Sequence, residues 1–195
     1  MKAHQAARKA IKEIDPEIKV GITLSLHDVQ FVEGGHAKAE KEWEDEFLHY
    51  LPYIKEDDFF GLQNYTRSVY GEDGIQNNPE GAELTQMDYE FYPQALENVI
   101  RKVHQELAIP LIITENGIAT SDDSRRVEFI KQALNGVSNC LDDGIDIRGY
   151  CYWSLLDNFE WQKGYSMTFG LIAVDRSNQA RKPKESLYYL GSYGK

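Results

Sequence analysis

With 195 residues and a formal net charge of −11, from 21 basic and 32 acidic side chains, the chain is long enough for one domain with a substantial core. The acidic surplus argues against nucleic acid or an anionic membrane surface as a partner, because both repel such a surface. Two cysteines, Cys140 and Cys151, are too few for a disulfide framework, no Cys/His cluster occurs, and the five histidines lack metal-ligand spacing. A reducing compartment, no metal and no cofactor are therefore expected.

In chain order, "MKAHQAARKAIKEID" reads as a polar amphipathic helix with Ala6, Ala10, Ile11 and Ile14 on one face. It lacks the apolar core of a signal peptide, and no apolar run approaches the length of a membrane span, so the expected location is the cytoplasm. "IKVGITLSLH" (18–27) alternates apolar with small or polar residues and predicts a strand. "AKAEKEWEDEFLHYL" (37–51) predicts a helix and "DFFGLQNYT" (58–66) a second strand. A polar loop follows over roughly 70–88. The run 88–108 carries Leu96, Val99, Ile100, Val103 and Leu107 at helical spacing. "PLIITENG" (110–117) is the third strand. The run 122–144 is again helical, with Gly144 suited to its C-terminal end. "IDIRGYCYWSLL" (145–156) is the fourth strand, 165–176 a short hairpin, and 183–194 a closing helix that starts at a proline. Strands alternating with helices predict an α/β fold with a parallel sheet, in a single domain.

Strand parity adds detail, because successive side chains face opposite sides. Val20, Ile22, Leu24 and Leu26 share one face, and Gly21, Thr23, Ser25 and His27 the other. By the same counting Glu115 shares a face with Leu111 and Ile113, which is taken to aim it into a barrel mouth. His27, Tyr65, Glu115 and Trp153 fall at strand ends, where parallel α/β folds place their chemistry. Taken alone, Glu115 could equally be an acidic strand-end residue. Asp157 and Glu160 in "WSLLDNFEW" are carboxylates in an aromatic stretch, and such groups need a partner or a ligand. A paired loop acid and a carbohydrate site both fit that pattern.

"LIITENG" together with "DGIDIRGYCYWSLLDNFEWQKGYSMTFGLIAVDR", "FFGLQNYT" and "VGITLSLH" resembles the family 1 glycoside hydrolases, which include the β-glucosidases. The resemblance covers essentially the whole chain. It implies a retaining glycosidase on a (β/α)8 TIM barrel, with Glu115 as nucleophile and Tyr65 as the tyrosine that hydrogen-bonds it. It further implies Trp153 as the floor of the sugar subsite, Glu160 and Trp161 as binders of the distal hydroxyls, and Phe169 as a lining aromatic. Arg148 and Asp157 are read as structural. Three positions depart from the family's usual pattern: Gln63-Asn64 stand where Asn-Tyr is usual before Tyr65, and Ser25 stands where Asn is usual.

A retaining glycosidase needs two carboxyl groups roughly 5 Å apart. The resemblance implies an Asn-Glu-Pro motif for the acid/base, and the 195 residues contain none; "NNPE" (77–80) has another order. A complete barrel takes roughly 250 residues. The chain is therefore expected to be the C-terminal half of the barrel, strands five to eight with their helices, occupying 1–195 as one region. Its expected partners are a β-glucoside or related β-glycoside, and a missing N-terminal half-barrel or a second copy of itself. It is expected to be inactive alone. The alternative is a non-catalytic sugar-binding or interaction relic. An open flavodoxin-like domain lacks support, because no Gly-rich phosphate loop follows the first strand.

Overall fold

The alternating segments condense into a parallel sheet with helices packed on one side. The computed structural model describes residues 1–193. In chain order the elements are α1 (Lys2–Ile14), β1 (Thr23–Ser25), β2 (Asp28–Phe31), α2 (His36–Glu46), α3 (Leu51–Ile54), β3 (Phe60–Asn64), β4 (Arg67–Gly71) and β5 (Gly74–Ile75). They continue with α4 (Ala95–Glu106), β6 (Leu111–Asn116), α5 (Asp123–Asp142), β7 (Ile147–Tyr152), β8 (Ile172–Val174), β9 (Arg181–Pro183) and α6 (Glu185–Ser192). The central sheet runs β1-β3-β6-β7, every neighbouring pair parallel. These are the four predicted strands in their chain order, so β1 and β7 are the two open edges.

One face of the sheet carries the core. Leu26, Phe60, Leu62, Leu111 and Ile113 pack with Leu96, Val99, Ile100 and Val103 of α4 and Phe129 and Ala133 of α5. Full burial of each such aliphatic side chain stabilises by about 1.5–3 kcal/mol. The opposite face is lined by small and polar residues, with Thr23, Ser25 and Cys151 exposed. No helix among the described residues is long and apolar enough to cross a membrane.

Several boundaries differ from the sequence pattern. The helix expected from residue 88 starts only at Ala95, because Pro93 disfavours helical backbone in the residue before it. The helix expected over 37–51 breaks at Phe47 (φ −137°) and resumes as α3. Part of the expected loop 70–88 is a hairpin, β4 against β5, closed by Glu72-Asp73 with Gly74 at φ +121°. The hairpin expected at 165–176 pairs β8 with β9 farther along, because Asp175 opens a turn by accepting a hydrogen bond from the Ser177 amide. Gly144 does end α5, at φ +84°. The last helix is α6, and the expected end at Gly194 lies outside the described residues.

Candidate active site

Glu115 does not share the facing of Leu111 and Ile113, contrary to simple alternation. Leu111 and Ile113 are both 0% exposed and face the helices, not a barrel interior. Strict alternation would bury Glu115 with them. The ladder between β3 and β6 shifts at this point: Leu62 pairs with Ile113, but Gln63 pairs with Glu115, skipping Thr114. This β-bulge turns Glu115 onto the inner face, and the next residue, Asn116, returns to the buried side. Asn116 is anchored there by its side-chain donation to Asn64 O at 2.7 Å and by acceptance from the Tyr150 hydroxyl at 2.8 Å. Gly117 follows because a Cβ there would lie 1.9 Å from the Trp153 carbonyl oxygen, so the end of β6 touches the residue that ends the next strand.

The six residues singled out in the sequence line one open cleft of about 390 Å³ at the C-terminal ends of the strands: Tyr65, Glu115, Trp153, Glu160, Trp161 and Phe169. The Tyr65 hydroxyl donates a short hydrogen bond to Glu115 Oε2. Burial first, and then this bond, push the Tyr65 phenol far above its ordinary range, so it stays a donor at every working pH. Phe169 meets the Tyr65 ring edge to face at 6.1 Å. Glu160 is held above the usual carboxylate range, by burial first and then by the charge of Glu115. Trp161 is 81% exposed, an indole face open to a ligand.

The loop that carries this aromatic wall is fixed from behind. Asp157 accepts from the Gly170 amide at 2.8 Å and from Lys184 Nζ at 3.2 Å, which also donates to Gly170 O at 2.6 Å. Asp157 is thus structural, as expected, and Arg148 pairs with Asp146 on the exposed surface. Arg126, 1% exposed, donates to Thr120 O at 2.5 Å, to Thr168 O at 2.6 Å and to Asp123. It thereby ties the residue before Phe169 to the N-terminal turn of α5.

Four further residues line the cleft. Ser25 and Gln63 stand at one level with Glu115, in the pairings Ser25–Gln63 and Gln63–Glu115. Met87 falls in the expected loop 70–88 and Tyr89 in the run expected as helix, and neither carries a sequence signal of its own. The Thr85 hydroxyl accepts from both their amides at 3.2 Å, and Asp88 adopts φ +61°. The signals for this turn were Thr85 followed by Asp88, with Pro93 beyond them.

The family model described as Glycosyl hydrolase family 1 matches residues 49–194. The chain belongs to this family. Among its family 1 relatives is a β-galactosidase of Pyrococcus woesei, 31% identical over 184 residues, which are 82% of this chain and 36% of that protein. A β-galactosidase of Sulfolobus acidocaldarius is 37% identical over 133 residues, 60% of this chain and 27% of the relative. The crystal structure of the β-glycosidase BGL167 is similar with a TM-score of 0.94 at 50% identity, covering 98% of this chain and 46% of that one. The chain thus spans less than half the length of these relatives. Its fold is a part of the family 1 TIM barrel, and by family it is a glycoside hydrolase.

Proposed function

We propose that the chain is the C-terminal half of a retaining β-glycosidase barrel, strands five to eight, and that it supplies the nucleophile and the wall that binds the glycone. The observation that carries this reading is the Tyr65–Glu115 hydrogen bond inside a cleft whose lining includes Trp153, Glu160, Trp161 and Phe169. Tyr65 occupies Oε2, so Oε1 of Glu115 is the oxygen that attacks the anomeric carbon. The bond from that carbon to the leaving-group oxygen breaks as the glycosyl ester on Glu115 forms, and water then hydrolyses the ester. Trp153 and Trp161 offer indole faces to the C–H face of the sugar, and Glu160 accepts from its hydroxyls.

Protonation of the leaving group needs a second carboxyl group. Glu160 is the other carboxylate lining the cleft among the described residues, and this reading assigns it to sugar binding. The acid/base then belongs to a complementary half-barrel that pairs with the open edges of β1 and β7. The substrate is a β-glucoside or a related β-glycoside, and the 195-residue chain alone turns it over negligibly.

A 2-deoxy-2-fluoro-β-glucosyl fluoride tests the nucleophile separately, because fluoride leaves without a proton. Intact-mass analysis should find one fluoroglucosyl adduct, peptide mapping should place it on Glu115, and Glu115→Gln should abolish it. An adduct on another residue, or none even after a complementary half-barrel is added, would refute the assignment. Restored hydrolysis on adding that half tests the division of labour.

A further inference from the structure

The first helix is attached to the body differently from α4 and α5. α4 buries Ala95, Leu96, Val99, Ile100 and Val103, and α5 buries Phe129, Ile130 and Leu134 among others, whereas α1 buries no residue over its 13 positions. Of its apolar face, Ala6, Ala10 and Ile14 are exposed, Ile14 by 84%, and Ile11 is half-buried. Met1, just ahead of the helix, packs partly against the core. A helix in an α/β fold buries its apolar face over neighbouring strands. α1 leads into β1, an edge of the sheet, and the sheet continues on one side of that strand only.

A row of polar contacts holds α1 instead. His4, Arg8 and Lys12, four residues apart and so on one face, meet Asp57 and Asp58 ahead of β3. His4 Nε2 lies 3.0 and 2.8 Å from the two oxygens of Asp57, Arg8 Nε 3.4 Å from Asp57 Oδ1, and Lys12 Nζ 2.8 Å from Asp58 Oδ2. Arg8 also donates to Glu56 O. Under this cover the Asp57 side chain is 2% exposed. Burial, the largest influence, raises its pKa in spite of His4 and Arg8, so the carboxylate regains hydration when the cover lifts. Asp58 keeps a second role without α1, accepting from the Val20 amide at 2.9 Å. The helix also ends in a hinge: Asp15 is extended (φ −148°, ψ 109°) before Pro16, and residues 13–19 are all exposed.

We propose that α1 is a hinged arm, latched through His4, Arg8 and Lys12 onto Asp57 and Asp58, that opens as a unit while the sheet stays folded. The proposal stands apart from the reading of the Glu115 cleft. A helix of this length is marginal alone in water, so the released arm unwinds and its amides exchange with solvent. Hydrogen exchange of the 195-residue chain at pH 7, followed by mass spectrometry, is the test. Peptides within 2–14 should be protected at least about a hundredfold less than those of α4. A His4→Ala/Arg8→Ala/Lys12→Ala variant should lose most of the remaining protection in 2–14, while α4 protection and the urea midpoint stay as in the unaltered chain. Equal protection of α1 and α4 in the unaltered chain would overturn the proposal. So would a variant that leaves α1 protection unchanged, or one in which α4 protection and the midpoint fall as well. A variant that fails to fold would place the latch inside the cooperative core, which is the opposite of the proposal.

Discussion

Replacing Arg126 with alanine should unsettle both the fold and the cleft. The guanidinium is buried and makes contacts to Asp123, Thr120 O and Thr168 O. The two carbonyls each keep one partner without it, since Thr120 N donates to Thr168 O and the Thr168 hydroxyl to Thr120 O. The loss is therefore less than three full charge-assisted bonds, and the fitting comparison is a buried ion pair deprived of one member, about 3–5 kcal/mol. With a urea m-value of about 2–3 kcal/mol/M, the unfolding midpoint should fall by about 1–2.5 M. Asp123 adds a pH signature. Burial would raise its pKa, but the bonds from Ser186 and Arg126 more than offset this and hold it below the ordinary value. Its stabilising contribution is present above the unfolded value of 3.8 and is lost as pH falls through the folded one. The acid-side loss of stability should thus be shallower in Arg126→Ala than in the unaltered chain. Urea denaturation followed by tryptophan fluorescence, at pH 7 and in steps down to pH 2, measures both effects. A midpoint shift below about 0.3 M would refute the account of Arg126 as the tie behind the Phe169 loop.

Tyr65→Phe should slow labelling of Glu115 by the fluorosugar about tenfold or more, since a hydrogen bond to a charged group contributes about 1.5–3 kcal/mol, and rates followed by mass spectrometry decide it. Glu160→Gln should raise the melting temperature at pH 7 while weakening glucose binding. The raised pKa of Glu160 means that its charged form opposes folding, so the difference should vanish once the pH falls below its unfolded value of 4.5. His27→Gln should destabilise most on the acid side. Its bond to Glu46 at 2.7 Å, the main cause, raises the His27 pKa above 6.5, so its contribution is full below that value and is lost as pH rises through the folded one. Melting curves at pH 5.5 and pH 9 should show a gap between the two proteins at the former that closes at the latter.

The order of the central strands was legible because each apolar run sits between helical patterns, and alternation in the first strand correctly placed Leu24 and Leu26 toward the helices. The six cleft residues were legible as motifs, since Glu115, Trp153 and Glu160 lie in short strings whose letters occur together. The facing of Glu115 was not. Counting by twos assumes an uninterrupted ladder, and the extra residue at Thr114 leaves no mark in the composition of "LIITEN". Tyr89 was obscured for a related reason. Its segment abuts a strong amphipathic helix, and periodicity alone runs past the proline that ends it. The β4–β5 hairpin was hidden because "GEDG" reads equally as loop and as a tight turn, and which one forms depends on β2 lying alongside β4.

Because the bulge lies within the sheet, the Glu115 carboxylate borrows its tolerance from the two strands that flank it. On one side Gln63 and Asn64 pair with Glu115 and Asn116, and on the other Asn116 pairs with Tyr152. A loop-borne acid would wander with its loop, whereas this one can drift only as far as two ladders stretch. Misplacement of a reacting group by 1 Å can cost about a hundredfold in rate. A change to the outer helices that leaves those ladders intact should accordingly leave the aim of the acid untouched, while a one-residue deletion at Thr114 would re-set it without altering a single side chain in the cleft.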